Sequence, residues 1–134
     1  MTAAAQPAPS APLSRLNKAG LVLAFLLGLG DTTGPFLPLP PDAQAGPSYS
    51  ILLLDGLLGL ITVVGVVVAW RTGRRAVIRL IAGARIISML TALPAFFVEV
   101  PPGIKVLAGV VVLLTVTAVV MMLAPTRRPA PITD

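Results

Sequence analysis

Cysteine and histidine are both missing from the chain. Their absence excludes disulfides, thiol nucleophiles, thiolate or imidazole metal ligation, haem ligation through histidine, and imidazole acid–base chemistry. No metal site and no cofactor is therefore expected. Charge is scarce as well: 11% of residues are charged, against roughly 25% in soluble domains. Aromatic residues are few: one Trp, one Tyr and four Phe.

What is abundant is apolar. Hydrophobic residues make up 56% of the 134-residue chain, with a mean hydropathy of +0.95. That composition fits an integral membrane protein with short loops. A bundle of four helices would use most of the length and leave no room for a separate soluble catalytic domain. The net charge is +5, and eight of the ten basic residues are Arg. Most of them stand beside apolar runs, so they read as topology-setting charge and no nucleic-acid partner is expected.

The central stretch is Ser50–Phe97. Two apolar runs, Ile51–Trp70 and Ala76–Phe97, are joined by Arg71-Thr72-Gly73-Arg74-Arg75. About 20 apolar residues suffice for a helix to cross a hydrocarbon core of about 30 Å, so the pattern predicts a transmembrane hairpin. Before it, Arg15 and Lys18 flank the run Ala19–Gly30, which extends through Pro35 to Leu39 as a span. The preferred reading is an uncleaved helix whose last turn Pro35 kinks or unwinds. The alternative is a cleaved signal peptide with Ala43-Gln44-Ala45 as its site. After the hairpin, Ile104–Ala124 is a Val-rich fourth span, and Thr115 and Thr117 are expected to bond preceding backbone carbonyls.

The expected fold is all-α, a polytopic four-transmembrane-helix bundle with helices at about 16–38, 50–70, 75–97 and 104–124. Residues 1–14 form an Ala/Pro-rich tail expected to be disordered, and 125–134 a short cytoplasmic tail. Placing both termini and the basic turn inside collects Arg15, Lys18, Arg71, Arg74, Arg75, Arg127 and Arg128 there. Lys105 is then the only base in the outer loops. The positive-inside rule selects that orientation, with a bacterial plasma membrane as the expected location. Tyr49 and Trp70 bracket the second span as interfacial aromatics.

Each helix of the hairpin carries a small and polar face: Asp55, Gly59, Thr62, Val66 and Ala69 on one, Ala82, Arg85, Ser88 and Ala92 on the other. Gly20, Ala24, Gly28 and Asp31 share a face of the first helix at spacings that let another helix approach closely. Arg85 falls near mid-membrane, and Asp31 and Asp55 about 7 Å nearer the outer face. A charge at that depth costs roughly 2.5–3.5 kcal/mol, so the three are expected to meet, with Arg85 donating to Asp31, Asp55 or both. The competing expectation leaves both carboxylates hydrated at the outer interface. Structural pairing is favoured over proton coupling or anion binding.

Three functions are compatible with these features. The first is a non-enzymatic accessory, structural or oligomer-forming subunit whose partners are the bilayer, further copies of itself or another membrane protein. The second is a minimal proton-coupled transporter or channel using Asp31 or Asp55. Its size is similar to that of the small multidrug resistance transporters. That family's acidic residue is a Glu in the cytoplasmic half with aromatic neighbours, whereas Asp31 lies outward and precedes Thr32-Thr33-Gly34-Pro35. The third, an aspartyl enzyme built on Asp31 and Asp55, lacks the sequence context such residues require.

Leu54-Asp55-Gly56, the junction from Ala69-Trp70-Arg71 to Arg74-Arg75-Ala76, and Ala84-Arg85 through Leu93-Pro94-Ala95-Phe96-Phe97 carry a broader likeness. Through them the chain resembles the uncharacterised small four-span membrane proteins of actinobacteria. The resemblance implies a fold and a location, and no activity.

Overall fold

A computed structural model describes residues 13–38 and 49–125. The N-terminal tail through Pro12, the Ala43–Ala45 site, Asp42, Arg127 and Arg128 lie outside the described residues. Among those described, four helices occur and no strand. They are α1 (Arg15–Thr33), α2 (Tyr49–Thr72), α3 (Arg75–Ala92) and α4 (Pro102–Leu123). With the 3-10 turns that continue α1 and α3, all four are long and apolar enough to cross a membrane. The chain is a multi-pass, all-α membrane protein.

The helix ends follow from local chemistry. Ser14 opens α1 with a capping box: its hydroxyl accepts from the Asn17 amide, and the Asn17 side chain accepts from the Ser14 amide. α1 ends sooner than its apolar run, because Pro35 tightens the chain into a 3-10 turn over Gly34–Phe36. Pro94 does the same to α3 over Leu93–Phe96. The expected five-residue turn contracts to Gly73 and Arg74, with Arg71 inside α2 and Arg75 inside α3. Gly73 makes this reversal with φ of +64°, a left-handed conformation that a Cβ disfavours. Its amide donates to the Ala69 carbonyl at 2.8 Å and closes the end of α2.

Around the bundle the neighbours run α1, α2, α3, α4 and back to α1. α1 and α3 therefore stand across a diagonal. The core that fills the centre comes from every helix: Leu21 and Ala24, Val66 and Ala69, Ile78 and Ile81, Ala118 and Met122. α1 makes the most extensive helix contact, with α2, and α4 supplies Ala118 and Met122 to the core.

Backbones approach closely where small residues face one another. A Cβ built on Gly59 would stand 2.6 Å from the Gly28 carbonyl oxygen, so α1 and α2 touch through backbone there. A Cβ on Gly20 would stand 2.7 Å from the Met122 amide nitrogen of α4. The small-residue stripe on α1 therefore serves two partners, Gly20 meeting α4 and Gly28 meeting α2, with Ala24 buried between them. Gly65, outside the expected set, receives Ile81 of α3 in the same way. Such contacts suit a bundle in lipid, where packing rather than hydrophobicity drives helices together.

Candidate functional site

Polar residues from each of the four helices gather in one cluster. Arg85 sits midway along α3 and is fully buried. Its guanidinium pairs with the Asp31 carboxylate across the diagonal and donates through its other terminal nitrogen to Thr115 Oγ1 of α4 at 3.2 Å. One side chain thereby ties α3 to both α1 and α4. The Asp31 side chain retains 18% of its exposure, so the cluster is closed around the guanidinium and opens toward the carboxylates.

Asp55 stands in the second turn of α2 and is held by hydroxyls. Its Oδ1 accepts from Ser88 Oγ at 2.7 Å and from Thr91 Oγ1 at 3.0 Å, both on α3. Ser88 Oγ also lies 3.2 Å from Asp31 Oδ2. Asp31 is thus bound directly to Arg85, and Asp55 joins the cluster through Ser88.

The remaining expected residues fall into four groups. Thr62 is fully buried and donates to the Leu58 carbonyl of its own helix at 2.8 Å. Gly59 and Ala82 are buried at helix contacts, as are Gly20, Ala24 and Gly28. Arg71, Arg74 and Arg75 mark the end of the bundle opposite the carboxylates. Ser88 packs as expected of a small residue but also links the two carboxylates.

Two cluster members escaped sequence reasoning. Thr115 accepts from Arg85, while Thr117 alone takes the expected role, donating to the Leu113 carbonyl at 2.8 Å. Thr91 follows Ser88 by three positions, on the same helical face, which was the available signal. A third polar contact lies away from the cluster. The Asn17 side-chain Nδ2 lies 2.9, 3.1 and 3.0 Å from the carbonyl oxygens of Met121, Met122 and Ala124, which share its two protons. The residue that closes the start of α1 also satisfies the end of α4.

Hydrogen accounting shows what the cluster can do. A hydroxyl carries one proton, so Ser88 serves one carboxylate at a time. Two carboxylates and one guanidinium give the cluster a formal charge of −1. The Arg85 Nε is buried without a partner. Among the described residues no group of three or more acidic or other metal-binding side chains could hold a metal ion. No protein-family model matches the chain, and neither does any curated protein or solved structure.

Proposed function

We propose that the chain is a non-enzymatic subunit of a bacterial plasma membrane, whose task is assembly rather than turnover. The orientation follows the basic end of the bundle, with the 71–75 turn and both termini in the cytoplasm. The observation that supports this reading is the burial of Arg85. A guanidinium fully enclosed and bonded to two other helices acts as a clasp that selects one arrangement of the spans. Buried ion pairs add little net stability over apolar packing, so the role assigned to this one is to specify how the helices pair. Removing α1 would take away Asp31 and leave the buried cation without its carboxylate, so α1 belongs with the working protein.

The outer surface is ready for lipid or for a partner helix. α4 presents Val106, Leu113 and Val120 outward, each more than 60% exposed, and its facing partners are acyl chains, a second copy or another membrane protein.

A second reading rests on Asp55. This carboxylate is bonded by hydroxyls alone and shares Ser88 with Asp31, so it is the acidic group of the cluster that Arg85 does not engage directly. Flux assays in proteoliposomes, with and without a proton gradient, separate the two. The assembly reading expects no gradient-driven flux across a broad set of substrates. Flux that Asp55→Asn abolishes would establish the carrier instead.

A further inference from the structure

At the basic end of the bundle, α1 and α2 leave a groove of about 300 Å³ on the outer surface. Val22 and Phe25 of α1 and Val66 and Val67 of α2 form its walls, almost wholly apolar, and Trp70 and Arg71 close one end. The Lys18 ammonium stands 5.9 Å from the Trp70 ring centroid. That contact fixes a second cation beside the same end of the groove. Both Lys18 and Arg71 are exposed.

No carboxylate balances this charge among the described residues. Asp31, Asp55 and Glu99 all lie toward the opposite end of the bundle, whereas Lys18 and Arg71 lie at this one. An apolar channel along the membrane-facing surface, capped by two exposed cations and an interfacial Trp, matches one chemical class. The apolar length takes an acyl chain, and the cations take a phosphate oxygen at headgroup depth.

We propose that the groove between α1 and α2 is a binding site for an anionic glycerophospholipid. One acyl chain lies against Val22, Phe25, Val66 and Val67, and the phosphate sits between Lys18 and Arg71. Bilayer lipid that merely surrounds the protein has no such requirement for charge. The site is separate from the Arg85 cluster, so it stands or falls independently of the assembly reading.

The full chain in mild detergent tests this by native mass spectrometry, titrated with phosphatidylglycerol, phosphatidylcholine or inorganic phosphate. The expected result is retained phosphatidylglycerol with a preference of about tenfold over phosphatidylcholine, and no retention of phosphate alone. Lys18→Gln with Arg71→Gln should bring that preference to within about twofold. Val67→Trp, which fills the groove but keeps both cations, should also lower phosphatidylglycerol retention. Equal binding of the two lipids would overturn the proposal, as would an unchanged preference in the double variant. Phosphate binding that survives Val67→Trp would show a headgroup site without an acyl seat and overturn it too. Each variant is checked for helical content and monodispersity, and Val22→Trp replaces Val67→Trp if the latter does not fold.

Discussion

Ser88 Oγ lies 2.7 Å from Asp55 Oδ1, and through this bond α3 holds α2 at the depth where Arg85 holds α1. The bond makes Ser88 a structural residue with a measurable share in stability. Ser88→Ala leaves Asp55 only Thr91 as a donor. A hydrogen bond to a charged group contributes about 1.5–3 kcal/mol, so equilibrium unfolding in detergent should show a loss of about 2 kcal/mol. Thr91→Val should cost less, because the Thr91 hydroxyl lies nearer the Ser88 carbonyl (2.6 Å) than Asp55 (3.0 Å), whereas the Ser88 hydroxyl lies nearer Asp55 (2.7 Å) than Asp31 (3.2 Å). An order of effects with Thr91→Val the larger would contradict this account of Asp55.

The crossing of α1 and α2 makes a prediction about glycine. At Gly59 an added Cβ meets the Gly28 carbonyl at 2.6 Å, whereas at Gly83 nothing lies within 4 Å. Gly59→Ala should force the helices apart at a cost of about 1–3 kcal/mol. Gly83→Ala should be neutral or stabilise the helix by up to about 1 kcal/mol. Thermal unfolding of the two variants side by side checks this, and equal midpoints would speak against backbone contact.

Asn17 joins the two terminal helices. Asn17→Ala removes the cap at the end of α4 together with half of the α1 capping box, and the expected loss is about 1–2 kcal/mol. Asn17→Asp should do more harm, since a carboxylate would face three carbonyl oxygens where the amide donates. Hydrogen exchange should show the change first in the last turn of α4. Protection there that matches the wild type would remove Asn17 from this role.

Parts of this arrangement were legible in the residues and parts were not, for physical reasons. Arg85 and Asp31 stood out because a charge inside an apolar run is costly and demands a partner. The four spans were legible from length alone. Thr115 was not, because a threonine in a helix has a local alternative in its own backbone carbonyls, and nothing in the run Val110–Val120 distinguishes it from Thr117. The Asn17 link to α4 was hidden for a similar reason, as a capping residue reads as local. The stripe of Gly20, Ala24 and Gly28 was visible, but its division between α4 and α2 was not. Eight residues turn a helix by about 80° past a whole number of turns, enough to present the two glycines to different neighbours.

The central claim is that Arg85 and Asp31 act as one unit that clasps α3 to α1. A double-mutant cycle with Arg85→Leu, Asp31→Asn and the combined variant, measured by equilibrium unfolding in one detergent, tests it most directly. Arg85→Leu alone should cost about 3 kcal/mol, since it strands a carboxylate inside the bundle. The combined variant should cost clearly less than the sum of the two, with an interaction energy of at least about 1 kcal/mol. Additive losses, equal within about 0.5 kcal/mol, would contradict the clasp.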